Sequence, residues 1–167
     1  IIPSKSQDMT AEEFFCFRKE LEKGKEGRML AVLATIQFFQ ALRISEAAGV
    51  YWEDVNIQWK NPSESKVTIR RYVQFSKTRY RKSTIALGFK NAKSNGGFKE
   101  LPMFPEAFEA LKSLYFIGTK GLIFKREGTF FEYCHILSAY NKAFRRAGLP
   151  YSGTHIMRHG GCRHVYN

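Results

Sequence analysis

Two short segments place arginine and histidine where an apolar core would exclude them. Arg43 lies at the junction between an apolar run and a short segment that ends at Gly49, and the second segment is Thr-His-Ile-Met-Arg-His at 154–159. His155 and Arg158 are three residues apart, so both lie on one face of a helix near its start. Free amides, the helix dipole and a bidentate guanidinium all favour phosphate oxygens, so this pattern predicts an anion site.

Each segment also has another interpretation. The Arg43 guanidinium could form a structural ion pair with Glu46, since a guanidinium at this junction needs a partner or a ligand. The second segment could be an ordinary basic helix face in solvent. His155, His159 and Cys162 could share a helix face as metal ligands, but the segment lacks the glutamate and the ligand spacing of zinc motifs. We therefore predict no metal.

The charge of the chain favours a nucleic-acid partner. The formal charge is +12, and eleven basic residues lie between Lys60 and Lys99 against the single acid Glu64. This balance is expected for a protein that binds the phosphate backbone, and a basic surface that binds nothing specific is the alternative. The charges do not follow an apolar-faced helix, which disfavours a membrane surface. The residues predicted to contact double-stranded DNA are Arg70, Arg71, Lys77, Arg79, Arg81, Lys82 and Lys93.

Length and cysteine content limit the class further. A chain of 167 residues with 44% hydrophobic content can bury one core, which predicts a single domain over 1–167. The three cysteines are odd in number and widely spaced, so they favour a reducing compartment over a disulfide framework. The sequence shows no run of about 20 apolar residues and no secretory signal at its start, so we expect a cytoplasmic protein.

The order of predicted elements is helices, a small sheet, then helices. Thr10 and Glu13 form a capping-box pattern for a helix that runs to about Leu21. Apolar spacing predicts a buried helix over 29–39 and a short one over 45–48. Strands are predicted within 67–75, 83–89 and 98–103, forming an antiparallel sheet. Further helices are predicted from Pro105, with Phe108, Leu111 and Tyr115 on one face, across 136–144, and from His155.

The two segments together resemble the arginine boxes of the tyrosine recombinases, the integrases of phages and mobile elements. ALRISEAAGVYWEDV is similar to the first box, and THIMRH is similar to the second, His-x-x-Arg-His. The strands followed by KELPMFPEAFEAL resemble the sheet and the Pro-initiated helix between the boxes. The resemblance covers nearly the whole chain. It implies an α+β, mainly α catalytic domain with a small three-stranded antiparallel sheet.

The resemblance implies a role for each matching residue. Arg43 and Arg158 correspond to the two arginines that grip the non-bridging oxygens of the scissile phosphate, and His155 corresponds to the histidine that assists proton transfer. Attack by a tyrosine on a phosphodiester develops negative charge on these oxygens, so fixed cations suit the reaction. The covalent phosphotyrosine stores the bond energy, so no cofactor is implied.

Three further residues are implied to complete or support the site. The family's catalytic lysine protonates the leaving 5′-oxygen and lies in the turn after the second strand. Lys90 is the residue that we assign there, with Lys93 as the alternative. Glu46 and His159 are implied as supporting residues, Glu46 by orienting the region of Arg43.

The implied function is site-specific DNA recombination or integration through a 3′-phosphotyrosine, by a homotetramer on DNA when full length. The sequence departs from the family pattern at its end, because a further His or Trp and the nucleophilic Tyr are expected well beyond Arg158. Tyr166 would stand about two helical turns away, so we reject it as the nucleophile. The 167-residue chain is therefore predicted to be truncated and inactive, without the family's N-terminal DNA-clamping domain.

Two other functions remain open at this stage. One is a non-enzymatic DNA-binding remnant of an integrase, which would hold DNA through the same basic residues without cutting it. The other is a type IB topoisomerase-like enzyme, which resembles the recombinases in fold and chemistry. The size of the segment and its integrase-like boxes favour a recombinase.

Overall fold

Helices dominate the structure, which confirms the predicted mainly α class with small antiparallel sheets. The computed structural model describes residues 8–77, 82–88, 98–116 and 119–166. The helices in this part of the chain are α1 Ala11–Glu22, α2 Gly27–Phe39, α3 Ile44–Ala48, α4 Pro105–Lys112, α5 Tyr133–Arg146 and α6 His155–Tyr166.

The capping box predicted at the start of α1 is present. The backbone N–H of Glu13 donates to Oγ1 of Thr10 (3.2 Å), and the N–H of Thr10 donates to Oε1 of Glu13 (3.0 Å). Two amides at the helix start therefore have partners. The Glu13 carboxylate also accepts the hydroxyl of Tyr151 (3.0 Å), which ties α1 to the loop that precedes α6.

Helix α2 is the centre of the core and is buried along almost its whole length. It packs against α1, α4 and α6. Aromatic rings fill the space around it: Phe14 of α1 stacks on Phe38 of α2 with ring centroids 4.6 Å apart. Phe17 stacks in the same way on Phe144 of α5, at 4.3 Å. The apolar spacing of 29–39 therefore predicted the correct helix.

The strands form a three-stranded sheet and two hairpin-like pairs, all antiparallel. The strands in the described part of the chain are β1 Val55–Asn56, β2 Lys66–Ile69, β3 Arg71–Gln74, β4 Thr84–Leu87, β5 Lys99–Pro102, β6 Lys125–Arg126 and β7 Thr129–Phe130. The order in the larger sheet is β1–β2–β5, while β3 pairs with β4 and β6 pairs with β7.

The strand predicted over 67–75 is broken at Arg70, so the three predicted strands do not form one sheet. Arg70 and Arg71 both bind the buried carboxylate of Asp54. Consecutive side chains of a regular strand point to opposite faces, so two neighbours can reach one carboxylate only where the strand is interrupted. The break separates β2, which pairs with β5, from β3, which pairs with β4.

Two features of the second half of the chain differ from the sequence interpretation. Helix α4 begins at Pro105 as predicted but ends at Lys112, so Tyr115 lies beyond it. A short hairpin, β6–β7, was not predicted. Its turn residues Glu127 and Gly128 both have positive φ, 52° and 82°, which is the backbone of a tight type I′ turn.

Two tyrosines should make the fold sensitive to alkaline pH. Burial and the hydrogen bond to Glu13 raise the pKa of Tyr151 to about 12, and burial raises the pKa of Tyr140 further. Both phenols are therefore harder to ionise in the folded chain than in the unfolded one. The stabilisation from Tyr151 is fully present below pH 10, the ordinary pKa of tyrosine, and is lost as the pH rises through its folded-state pKa of about 12.

We expect Tyr151→Phe to lower the free energy of unfolding by about 1 kcal/mol at pH 7, because a hydrogen bond to a carboxylate is lost. The difference in free energy of unfolding between the parent and Tyr151→Phe should become smaller from pH 9 to pH 11. Urea unfolding at pH 7, 9 and 11 measures this, with pH 7 to 9 as the control interval. A constant gap over the whole range would contradict the assignment.

Candidate functional site

Arg43 lies at the tight turn between α2 and α3. Ala41 adopts the left-handed conformation with φ 54°, which reverses the chain after α2. The turn buries Leu42 in the core and leaves the next residue, Arg43, exposed at the N-cap of α3. In the part of the chain that the structure describes, the Arg43 guanidinium has no hydrogen bond or ion pair.

Glu46 holds the backbone of this turn but does not bind the Arg43 guanidinium. Its Oε1 accepts the backbone N–H of Arg43 (2.9 Å), and its Oε2 lies 3.3 Å from Nζ of Lys99 on β5. The Glu46 side chain is only 5% exposed, so its charge is compensated mainly by Lys99. Glu46 therefore forms its ion pair with Lys99, and the alternative of a structural Arg43–Glu46 ion pair is wrong.

The side chain of Gln40 also attaches the end of β5 to the turn between α2 and α3. The side-chain amide of Gln40 donates to the carbonyl oxygen of Pro102 (2.9 Å) and accepts the backbone N–H of Phe104 (2.8 Å). Together with Lys99, this amide fixes both ends of β5 against the turn that carries Arg43.

The start of α6 is held by buried polar contacts from α2 and α5. The side-chain amide of Gln37 on α2 donates to the carbonyl oxygen of Thr154 (2.9 Å), and Tyr140 on α5 donates its hydroxyl to Gln37 (3.2 Å). The N–H of Gly153 donates to the side chain of Asn141 (2.9 Å). These contacts fix the residues directly before His155, the first residue of α6.

Two adjacent glycines let α6 cross close to the end of α2. A Cβ on Gly160 would lie 2.6 Å from the carbonyl oxygen of Met9 and 2.8 Å from the ring of Phe38. A Cβ on Gly161 would overlap the carbonyl oxygen of Phe38 and lie 3.4 Å from Cα of Ala41. Because Gly161 lies against Ala41, the helix that carries Arg158 packs against the turn that leads into Arg43.

The side chains of the second box differ in environment. His155 and His159 are exposed, and Arg158 is partly buried between them. The Nε of Arg158 is buried and has no hydrogen-bond partner among the described residues. A buried donor left unpaired costs about 1–3 kcal/mol, so this guanidinium is set up to meet an acceptor that comes from elsewhere.

Two arginines predicted to contact DNA are engaged within the protein. Nε of Arg70 lies 3.1 Å from Oδ1 of Asp54, as an ion pair without hydrogen-bond geometry, and Nη1 of Arg71 lies 2.5 Å from Oδ2. Arg71 also stacks over the ring of Tyr51, and Arg70 over that of Phe98. Any phosphate at these arginines would compete with the carboxylate of Asp54, a residue that is only 5% exposed.

The other basic positions fall into two groups. Lys77 and Lys82 flank the β3–β4 pair and are exposed, with no ion pair among the residues described. Four predicted residues lie outside the described residues, including both choices for the catalytic lysine: Arg79, Arg81, Lys90 and Lys93.

Over residues 8–77, 82–88, 98–116 and 119–166, no three His, Cys, Asp or Glu side chains are grouped so that they could hold a metal ion. Cys162 is a free thiol. No helix in the same ranges is long and apolar enough to cross a membrane.

Sequence reasoning missed several residues that shape the site. The sequence patterns assign no role to Lys99 in the basic stretch or to Gln37 and Gln40 in and directly after an apolar helix. They also assign none to Gly160 and Gly161. Polar amides in an otherwise apolar run and a Gly-Gly pair inside a helix are signals that could have indicated buried contacts.

Comparison with known proteins finds similarity in structure only. No protein-family model matches the sequence, and no curated protein matches it. The Tn1549 transposon integrase in complex with transposon right end DNA superposes with a TM-score of 0.70 at 15% identity, over 98% of this chain and 54% of that one. XerH site-specific recombinase bound to difH substrate gives 0.64 at 16%, over 95% and 42%. The catalytic domain of bacteriophage HP1 integrase gives 0.57 at 16%, over 96% and 72%.

The similarity extends over nearly the whole chain, and the chain spans about half the length of the Tn1549 integrase structure. Three differently named recombinases and integrases share this arrangement of helices and small sheets. The chain therefore has the fold of the tyrosine recombinase catalytic domain. This confirms the fold that the resemblance of the two arginine boxes implied.

Proposed function

We propose that this chain is the catalytic part of a DNA integrase that cuts and rejoins strands through a 3′-phosphotyrosine. The observation that carries the proposal is that two arginines on neighbouring segments have hydrogen-bonding capacity left unused in the described part of the chain. Arg43 is exposed without a described partner, and Nε of Arg158 is buried without one. Both segments meet where α6 crosses the end of α2. Two guanidiniums on adjoining segments suit the two non-bridging oxygens of one phosphodiester.

Each proposed role follows from the charge that the reaction develops. Arg43 and Arg158 stabilise the pentacoordinate phosphorus as negative charge builds on its equatorial oxygens. His155, exposed on the Arg158 face of α6, assists proton transfer, and His159 supports the same face. Lys90, with Lys93 as the alternative, donates a proton to the 5′-oxygen as the P–O5′ bond breaks. In rejoining, the 5′-hydroxyl attacks the phosphotyrosine and the tyrosine leaves.

The attacking tyrosine is proposed to come from outside residues 1–167. α6 is a continuous helix from His155 to Tyr166, so Tyr166 stands about 12 Å along the axis from Arg158. Reading the coding region past Asn167 tests this directly. A His or Trp and then a Tyr in the next helical segment would support the proposal, and a stop codon would favour a DNA-binding remnant.

The activity itself is tested by recovering covalent protein–DNA adducts. The product of the complete coding region is expressed, the cells are lysed in SDS, and DNA that stays attached to the protein is sequenced. We expect DNA linked through a 3′-phosphotyrosine at one or a few sites, because an integrase cuts at a defined junction. Adducts spread evenly along DNA would indicate a topoisomerase-like enzyme, and their absence would contradict strand cleavage.

DNA binding should depend steeply on salt. We expect the affinity of this chain for duplex DNA to fall by more than about 10-fold between 50 and 200 mM salt, because phosphate contacts release counterions. Sequence preference should be small, because phosphate contacts carry no base information. Fluorescence anisotropy with labelled duplex measures both.

A charge-matched pair of variants makes the salt experiment specific. Lys77→Gln/Lys82→Gln should flatten the dependence of log K on log salt by up to about 2, or 0.9 per contact. Lys19→Gln/Lys25→Gln removes two exposed lysines, on α1 and directly after it and away from the sheet, and should leave the slope unchanged. Equal effects of the two changes would mean that binding follows net charge alone.

A further inference from the structure

Lys99 is the residue whose contact the proposed mechanism leaves unexplained. It is the first residue of β5, about half exposed, and its Nζ lies 3.3 Å from the buried carboxylate of Glu46. A lysine that served only to bind DNA would gain nothing from a buried acid. An ion pair between β5 and the arginine turn therefore needs its own account.

Glu46 is a competitor for the Arg43 guanidinium. Its carboxylate already accepts the backbone N–H of Arg43 at 2.9 Å, and the two residues are three apart at the start of α3. A buried carboxylate without a cation is strongly unfavourable, and a nearby guanidinium that can fold onto it removes that penalty. If Lys99 were absent, Arg43 would be the next available cation.

We infer that Lys99 keeps Arg43 free to bind phosphate by occupying the carboxylate of Glu46. Lys99 is then a positioning residue that acts through Glu46 and Arg43 and does not itself touch DNA. The inference rests on the proposed phosphate-binding role of Arg43. It explains why the Arg43 side chain stays exposed beside a buried acid.

The test measures binding of this chain to duplex DNA at one fixed salt concentration. Arg43→Ala calibrates the assay and should weaken binding by about 10-fold, the value of one charge-assisted contact. No loss with Arg43→Ala would contradict the proposed role of Arg43 itself. That outcome is separate from a failure of the Lys99 inference.

Lys99→Met should weaken binding by a similar factor of about 10, because Arg43 turns to Glu46. Adding Lys99→Met to Arg43→Ala should cause no further loss, because the only residue through which Lys99 acts is gone. A further loss of several fold in the Arg43→Ala background would overturn the inference, since Lys99 would then contact DNA directly. Lys99→Arg keeps the cation and should bind like the parent.

Removing the competing charge should rescue binding. In Glu46→Gln the side-chain amide oxygen can still accept the Arg43 N–H, but the neutral amide cannot form an ion pair with the Arg43 guanidinium. Lys99→Met/Glu46→Gln should therefore bind DNA within about twofold of Glu46→Gln alone, a comparison that holds even if Lys99→Met by itself fails to fold. Weaker binding of the double variant would overturn the inference. Circular dichroism of each variant confirms that folded proteins are compared.

Discussion

Replacing Arg158 with alanine is expected to lower the rate of strand cleavage by about 1000-fold or more, with the fold retained. In the proposed mechanism this guanidinium stabilises the charge on the scissile phosphate, and its Nε is buried without a partner among the described residues. Arg158→Ala removes the buried, unpaired Nε from the free protein, but it also removes the positive charge that is proposed to stabilise the transition state. Arg43→Ala should have an effect of the same order.

The measurement is the single-turnover formation of covalent adduct by the product of the complete coding region, on the site recovered by sequencing. Arg158→Lys should recover part of the rate, because lysine supplies charge but not two parallel hydrogen bonds. Arg163→Ala is the matched control. Arg163 is exposed on the same helix and paired with Asp8 at 3.0 Å, so its loss should leave cleavage unchanged. Cleavage by Arg158→Ala within threefold of the parent would rule out its role.

Gly161→Ala is expected to destabilise the chain by about 3 kcal/mol or more, the upper range for overpacking. The added methyl would overlap the carbonyl oxygen of Phe38, and backbone cannot rotate away as a side chain can. Helix propensity alone predicts the opposite sign, because alanine is favoured over glycine inside a helix by about 1 kcal/mol. The sign of the change therefore decides between packing and propensity.

Urea unfolding of the parent and the variant measures the effect. His159→Ala is an exposed position on the same helix and should change the free energy of unfolding by less than about 0.5 kcal/mol. Gly160→Ala should also destabilise, by less than Gly161→Ala, because its added methyl would lie 2.6 Å from the carbonyl oxygen of Met9 and 2.8 Å from the ring of Phe38 but would not overlap a carbonyl oxygen. A more stable Gly161→Ala protein would mean that α6 does not cross α2 as described.

Local patterns in the sequence predicted the helices well. The capping box of Thr10 and Glu13, the proline start of α4 and the apolar spacing of α2 each depend on residues within one or two turns. Each of these signals can therefore be recognised from neighbouring residues without any knowledge of tertiary contacts. The two arginine boxes also placed Arg43 and Arg158 at helix starts that the structure brings onto adjoining segments.

Contacts between distant residues could not be predicted in the same way. Lys99 and Glu46 are 53 residues apart, and Gln37 and Thr154 are 117 apart, so no local spacing indicates either pair. The break at Arg70 has the same origin. The sequence Val-Thr-Ile-Arg-Arg-Tyr-Val-Gln-Phe alternates like one strand, and the break falls where both arginines contact the distant, buried Asp54.

Residues 37–41, at the end of α2 and in the turn after it, contact both β5 and α6 beside the described part of the proposed site. Gln37 holds the residue before α6, Gln40 holds the end of β5, and Phe38 and Ala41 receive the glycines of α6. Local unfolding of this turn would release both arginine segments together, so we expect the proposed site to be lost cooperatively. By linkage, a phosphate bound between the arginines should suppress that opening and protect the amides of the turn from hydrogen exchange.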